Sequence, residues 1–97
     1  MLVKLLKDNG FDNASRGFTY FHQSDLIGLP GIHVECKNAE KLSIRKAMQQ
    51  AEEEAEKRKD GAPTVFWKSS RKPWLTIMRT EDWITLYKMA IGKEDHE

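Results

Sequence analysis

The sequence predicts a single α/β domain in which helices flank a central mixed sheet. Two observations carry this prediction. Segments whose apolar residues recur at helical spacing alternate with short segments rich in β-branched and aromatic residues. The chain has 97 residues, of which 39% are hydrophobic, which is enough for one core. We predict that the domain spans residues 1–92 and that a charged tail covers residues 93–97.

The N-terminal part of the chain predicts a short helix followed by a strand. Apolar residues between Leu2 and Leu6 have helical spacing, and Asn9-Gly10 provides a glycine in the C-cap role. The aromatic run Phe18–Phe21 predicts the first strand, and a start nearer Ala14 is the alternative.

Residues 31–38 predict a strand with two unlike faces, because polar and apolar residues alternate along it. Its apolar face holds Ile32, Val34 and Cys36. Its polar face holds His33, Glu35 and Lys37. Turn residues at positions 28–31 predict a hairpin with the short apolar segment before them, which would bring Asp25 beside Glu35 and Lys37. Two carboxylates and a lysine on neighbouring strands suit the hydrolysis of phosphodiesters with a divalent metal ion.

The second half predicts a long helix, two strands and a final helix. The long helix runs from Leu42 to about Lys59, with Ser43 as the N-cap candidate. Its apolar stripe consists of Ile44, Ala47, Met48, Ala51 and Ala55. The strands are Thr64–Trp67 and Trp74–Met78, and Thr80 caps the final helix. The predicted buried side of that helix consists of Trp83, Ile84, Leu86, Tyr87 and Ala90. We also expect the three tryptophans, Trp67, Trp74 and Trp83, to lie in the core.

Charge and composition limit the possible environments and partners. The formal net charge is +1, so overall charge does not indicate nucleic-acid binding. Residues 61–80 contain no acid, however, and form a locally basic strip. Candidate phosphate contacts are Arg16, Lys68, Arg71 and Lys72, although the last three also fit an ordinary solvated hairpin tip. The chain has no apolar run of about 20 residues, and its single cysteine favours a reducing, cytoplasmic setting.

The hairpin motif resembles a known nuclease superfamily. Asp25 followed by Glu35-Cys36-Lys37, with a helix after the hairpin, is similar to the PD-(D/E)xK pattern. The order of predicted elements also resembles the restriction-endonuclease-like αβββαβ core of that superfamily. Residues 33–38, 49–51 and 71–74 resemble the small phage and prophage Holliday-junction-resolvase-like members, so the likeness covers most of the chain.

The resemblance implies roles for individual residues. Asp25 and Glu35 would bind Mg²⁺ or Mn²⁺, with the backbone carbonyl of Cys36 as a third ligand. Lys37 would orient the attacking water or stabilise the developing charge. Gln50 on the following helix would reach the site, with Gln49 as the alternative.

The resemblance also implies a substrate and a partner. The substrate would be DNA, of branched form such as a Holliday junction, in the cytoplasm of a bacterial or phage-infected host cell. Two coordinated nicks require a symmetric homodimer. Its interface would be the final helix or the aromatic strand around residues 18–21, and the sequence leaves that choice open.

One departure from the pattern supports a rival interpretation. Members of the family usually carry a glutamate in the first helix, and here that position falls at or before Met1, while Asp8 lies near the end of the helix. The rival is a catalytically inactive DNA-binding or interaction module of the same fold. A third interpretation, an unrelated α/β binding protein, requires Asp25 and Glu35 to lie far apart. Apart from the motif, His33 fits a face-filling or surface residue rather than a metal ligand, and Cys36 fits a small buried one.

Overall fold

The protein is described by a computed structural model covering residues 2–17 and 25–93. The elements are, in chain order, α1 (Leu2–Asp8), β1 (Ser15–Arg16), β2 (Leu26–Ile27), β3 (Ile32–Asn38), α2 (Ile44–Arg58), β4 (Ala62–Lys68), β5 (Leu75–Met78) and α3 (Thr80–Ala90). The predicted mixed α/β class is therefore confirmed. The aromatic run 18–21 lies outside the described residues, and β1 lies at the alternative position just after Ala14.

The five strands form one mixed sheet in the order β1-β2-β3-β4-β5. All neighbouring strands are antiparallel except β3 and β4, which are parallel. A parallel pair needs a crossover connection, and α2 supplies it. The β2–β3 register pairs Leu26 with Val34, and the β3–β4 register pairs Glu35 with Val65. The strand order places the predicted site strand β3 at the centre of the sheet.

Two small apolar clusters cover the two faces of the sheet. On one face, Leu2 of α1 and Ala14 pack with three strand residues, Leu26, Val34 and Phe66. On the other face, Ala47 and Ala51 of α2 pack against Val65. The small alanine side chains bring the helix close to β3 and β4, so polar groups on α2 can reach polar groups on the sheet.

Local sequence signals set the ends of α2 as predicted. The hydroxyl of Ser43 accepts a hydrogen bond from the Lys46 amide at 3.5 Å, as an N-cap does. The helix ends at Lys59, whose φ of 52° is left-handed. The predicted apolar stripe is only partly buried: Ala47, Ala51 and Ala55 are buried, whereas Ile44 is 47% exposed.

The prediction for the last helix was wrong in two respects. Arg79 rather than Thr80 is the N-cap, and it makes no side-chain cap hydrogen bond. None of the α3 residues is buried, and the predicted buried side is exposed. Trp83, expected in the core, is 51% exposed and stacks on Tyr87 with ring centroids 5.0 Å apart. By contrast, Trp67 and Trp74 are partly buried.

Among residues 2–17 and 25–93 no helix has both the length and the apolarity needed to cross a membrane.

Candidate active site

The β2–β3 hairpin brings Asp25 to β3 as the sequence predicts. The Asp25 amide donates a hydrogen bond to the Val34 carbonyl at 3.2 Å, and the Cys36 amide donates to Oδ2 of Asp25 at 2.9 Å. The turn depends on Gly28, whose φ is 94° and where a Cβ atom would overlap the backbone carbonyl of Asn13. The Asp25 carboxylate is thus fixed to the backbone of the strand that carries Glu35 and Lys37.

Glu35 is a buried carboxyl beside a second carboxyl. Its side chain is only 8% exposed. Burial raises the pKa of Glu35 above its ordinary value of 4.5, the hydrogen bond from His33 lowers it, and the adjacent Asp25 raises it through both charge and hydrogen bonding. The third interpretation required these carboxyls to be far apart, and the structure brings them together instead.

The Asp25–Glu35 pair suits a hard divalent cation. Two neighbouring negative charges repel each other in a partly buried site, and a divalent cation bound by both carboxylates would relieve that repulsion. Both groups offer oxygen donors only, the type that Mg²⁺ and Mn²⁺ prefer. Within the part of the chain that the structure describes, no group of three or more His, Cys, Asp or Glu side chains is placed to hold a metal ion. The remaining ligands would therefore be the Cys36 carbonyl, water and substrate oxygens.

Lys37 lies against α2 and contacts one of the two candidate glutamines. Its Nζ donates a hydrogen bond to Oε1 of Gln50 at 2.6 Å. Gln49 points elsewhere on the helix, where its amide donates to Oε2 of Glu53 at 3.3 Å. Of the two alternatives from the sequence, Gln50 is the one that reaches the polar residues of β3.

His33 and Asp60 form a connection that the sequence reasoning missed. His33 is fully buried, which agrees with a face-filling role, but both of its ring nitrogens contact carboxylates. Nδ1 lies 2.8 Å from Oδ1 of Asp60, and Nε2 lies 3.1 Å from Oε1 of Glu35. The parallel register, which pairs Ile32 with Ala62, explains why the chain after α2 passes beside His33. That register follows from the tertiary fold, so no local pattern indicated it.

Cys36 is partly buried, rather than buried as the sequence suggested, and it packs against the apolar cluster that contains Val34. Burial, and then the charges of Asp25 and Glu35, raise the pKa of its thiol to about 11. The thiol is therefore protonated at neutral pH and is not an activated nucleophile. What Cys36 offers the site is its backbone: the amide holds Asp25.

A cavity of about 370 Å³ lies beside this pair of strands, and Arg16, Asp25, Lys37 and Trp74 contribute to its wall. Arg16 is thus placed near the acidic residue, as a phosphate-contacting group would be. Helix α1 contributes only the apolar residues Leu2 and Val3. Its acid, Asp8, is exposed instead and pairs with Lys4 at 2.8 Å. Helix α1, as described, offers this cavity no carboxylate.

The basic hairpin between β4 and β5 is only partly directed toward the site. Lys68 lines a second cavity, of about 240 Å³, which shares Asn38 and Trp74 with the first. Arg71 and Lys72 are exposed in the turn.

The sequence reasoning missed one acidic contact with this hairpin. Oε2 of Glu40 accepts a hydrogen bond from the Ser70 amide at 2.8 Å, which lowers the pKa of Glu40. A carboxylate therefore lies against a loop that the sequence indicated to be purely basic.

Comparison of the chain with protein-family models, with curated proteins and with solved structures finds no match in any of the three.

Proposed function

We propose that this protein is a metal-dependent DNA endonuclease of the PD-(D/E)xK type, which hydrolyses phosphodiester bonds in branched DNA such as Holliday junctions. The observation that carries the proposal is the position of Asp25, Glu35 and Lys37 on one antiparallel strand pair, with Gln50 contacting the lysine. Such a substrate implies action in the cytoplasm of a bacterial or phage-infected host cell.

The topology supports the proposal at the level of the fold. A helix is followed by three antiparallel strands, a crossover helix and a strand parallel to the third, which is the order expected of a restriction-endonuclease-like core. The strand β5 and the helix α3 extend this arrangement at one edge.

Each residue of the site would have a separate chemical role. Asp25 and Glu35 would hold Mg²⁺ or Mn²⁺ together with the Cys36 carbonyl. When bound, the ion supplies charge stabilisation and a more acidic water molecule. The ammonium group of Lys37 would orient that water or stabilise negative charge on the phosphate, and Gln50 would hold the ammonium group in place. Arg16 and Lys68 would contact flanking phosphates.

The proposal also includes a homodimer, with α3 as its interface. The α3 apolar surface consists of Trp83, Ile84, Leu86, Tyr87, Met89 and Ile91, each between 42% and 57% exposed. A two-fold pairing through this surface would need to bury about 1,000 Å² in total to reach the lower limit for a specific interface. Acidic residues occupy the first turn of α3 and Lys88 the last, so an antiparallel pairing would place opposite charges together.

A cleavage assay tests the proposal. Labelled four-way junction and matched linear duplex would be incubated with protein in Mg²⁺, Mn²⁺ or EDTA, with an Asp25→Ala variant alongside. We expect paired nicks near the junction that require metal and disappear in the variant. Equal cleavage of both DNAs would indicate a nuclease without branch preference. Cleavage by Asp25→Ala at the wild-type rate would contradict the assigned site.

One observation favours a second candidate, a DNA-binding or interaction module of the same fold without catalysis. The described part of α1 places Leu2 and Val3, rather than an acid, at the Asp25 cavity. This candidate predicts junction binding without cleavage and no stabilisation by Mn²⁺. A rise in melting temperature with Mn²⁺ that Asp25→Ala abolishes would exclude it, because only a ligand bound to the folded protein stabilises in this way.

A further inference from the structure

His33 has the largest fully buried side chain among the described residues, and packing alone does not account for its surroundings. The ring is fully buried, and each nitrogen faces a carboxylate. An apolar side chain would fill the same space without the cost of removing the His33 and Glu35 side chains from water. A connected chain of polar contacts, with His33 and Glu35 buried and Asp60 partly exposed, fixes one geometry for its members.

The chain of contacts runs in one direction, from the end of α2 to β3. Asp60 follows the C-cap residue Lys59 and places both carboxylate oxygens against Nδ1 of His33, at 2.8 and 3.0 Å. A carboxylate accepts hydrogen bonds, and this contact with both oxygens of Asp60 fixes the orientation of the ring. The same ring then presents Nε2 to Oε1 of Glu35 at 3.1 Å.

We infer that His33 is a positioning residue for Glu35, with Asp60 fixing the ring that holds the Glu35 carboxylate beside Asp25. This inference rests on the proposed function, in which Glu35 is a metal ligand. Helix α2 and the residue after its C-cap then support both functional side chains of β3: Gln50 holds Lys37, and Asp60 holds Glu35 through His33. Groups that orient metal ligands typically change metal affinity by about 10–100-fold when they are replaced.

Two substitutions of His33 separate its two contacts. His33→Asn keeps an amide near the position of Nδ1 and loses the contact with Glu35. His33→Gln reaches the position of Nε2 and keeps the contact with Glu35 while losing that with Asp60. Asp60→Asn removes the negative charge that fixes the His33 ring. The Asp60 side chain is 33% exposed, so the folded protein should tolerate this replacement. Glu56→Gln, at an exposed carboxylate in the last turns of α2, is the matched control.

The measurement is the dissociation constant of Mn²⁺ for the folded protein, by calorimetry or electron paramagnetic resonance, together with the melting temperature without metal. We expect His33→Asn to weaken Mn²⁺ binding by about 10–100-fold and His33→Gln to recover part of that loss. Asp60→Asn should weaken binding less, and should add nothing in the presence of His33→Asn, because both act through one chain of contacts. The control should match the wild type.

The outcomes distinguish this inference from the proposed function. Unchanged Mn²⁺ affinity in His33→Asn and Asp60→Asn, with only a lower melting temperature, would show that the contacts are structural and would overturn the inference. If Mn²⁺ binding still depends on Asp25 and Glu35, the proposed function survives that result. If Asp25→Asn and Glu35→Gln also leave Mn²⁺ affinity unchanged, both the proposed function and this inference fail.

Discussion

Nζ of Lys37 lies 2.6 Å from Oε1 of Gln50, so the ammonium group of the central strand is held against the middle of α2. A free lysine side chain samples many rotamers, and ordering it costs up to about 2 kcal/mol. The hydrogen bond to Gln50 restricts the Lys37 side chain before any substrate binds, so this entropy cost is not added to substrate binding. The contact uses one of the three donors of an ammonium group, so the others remain for further hydrogen bonds.

We expect Gln50→Ala to reduce the cleavage rate by about tenfold, roughly 1.4 kcal/mol of transition-state stabilisation. The physical reason is that Lys37 would lose its preset position while keeping its charge. Gln49→Ala is the matched control, because the neighbouring glutamine contacts Glu53 instead. Single-turnover rates on junction DNA measure both. Equal loss in the two variants would indicate an effect on the helix rather than on Lys37.

Lys37→Ala should abolish cleavage while binding to junction DNA persists. One ammonium group near the reacting phosphate typically contributes about 10²–10³-fold to the rate, whereas it is only one of several basic groups that hold the DNA. Cleavage assays and gel-shift titrations of the same preparation separate the two effects. Wild-type cleavage by the variant would remove Lys37 from the site.

Glu35→Gln should stabilise the metal-free protein at neutral pH. The folded protein raises the pKa of Glu35 above 4.5, so the ionised form is disfavoured on folding. Its contribution to stability is fully present below pH 4.5 and is lost as the pH rises through the folded pKa. The free energy of unfolding of Glu35→Gln, measured by urea titration, should therefore exceed that of the wild type by more at pH 7 than at pH 4.

The same comparison with Mn²⁺ should reverse the order, because only the wild type keeps both carboxylates. The exposed Glu56→Gln variant should follow the wild type under all these conditions. A Glu35→Gln variant that is less stable than the wild type without metal at pH 7 would contradict the burial argument.

Gly28→Ala should destabilise the hairpin that positions Asp25. At a φ of 94° any side chain has left-handed strain of about 1–2 kcal/mol. The new Cβ would also overlap the Asn13 backbone and lie 2.9 Å from Cα of Ala14, which adds about 1–3 kcal/mol. Gly10→Ala is the control: its φ of 96° is nearly the same, but nothing lies within 4 Å. Equal losses of unfolding free energy in the two variants would contradict the close approach at Gly28.

Tyr87→Lys should convert a dimer to a monomer. The substitution places a charge in the centre of the α3 apolar surface and removes the stacking on Trp83. Thr85→Lys adds the same charge to the same helix outside that surface and should leave the dimer intact. Sedimentation equilibrium of the three proteins measures the dissociation constants. A monomeric wild type would remove the homodimer from the proposal.

Much of the site was predictable from short-range patterns. The alternation along residues 31–38 and the turn at Gly28 predicted the hairpin, and the register that pairs Leu26 with Val34 confirms it. Gln50 was preferred to Gln49 only through the family resemblance, because adjacent helical positions differ by 100° and the docked orientation of α2 decides which of them faces β3. Asp60 was not foreseen, because its partner His33 lies 27 residues earlier and only the β3–β4 pairing brings them together.

The sequence by itself determined the mixed α/β class, the ends of α2 and the meeting of Asp25 with β3, since spacing, caps and turn glycines act over a few residues. Tertiary structure alone decided that His33 links Asp60 to Glu35, that Gln50 reaches Lys37, and that α3 leaves Trp83 and Tyr87 exposed. The apolar residues of α3 have the spacing of a buried helix, but this spacing does not determine which surface packs against them. Covering requires a neighbouring element at the right distance, and the described part of one chain does not bury any residue of this helix.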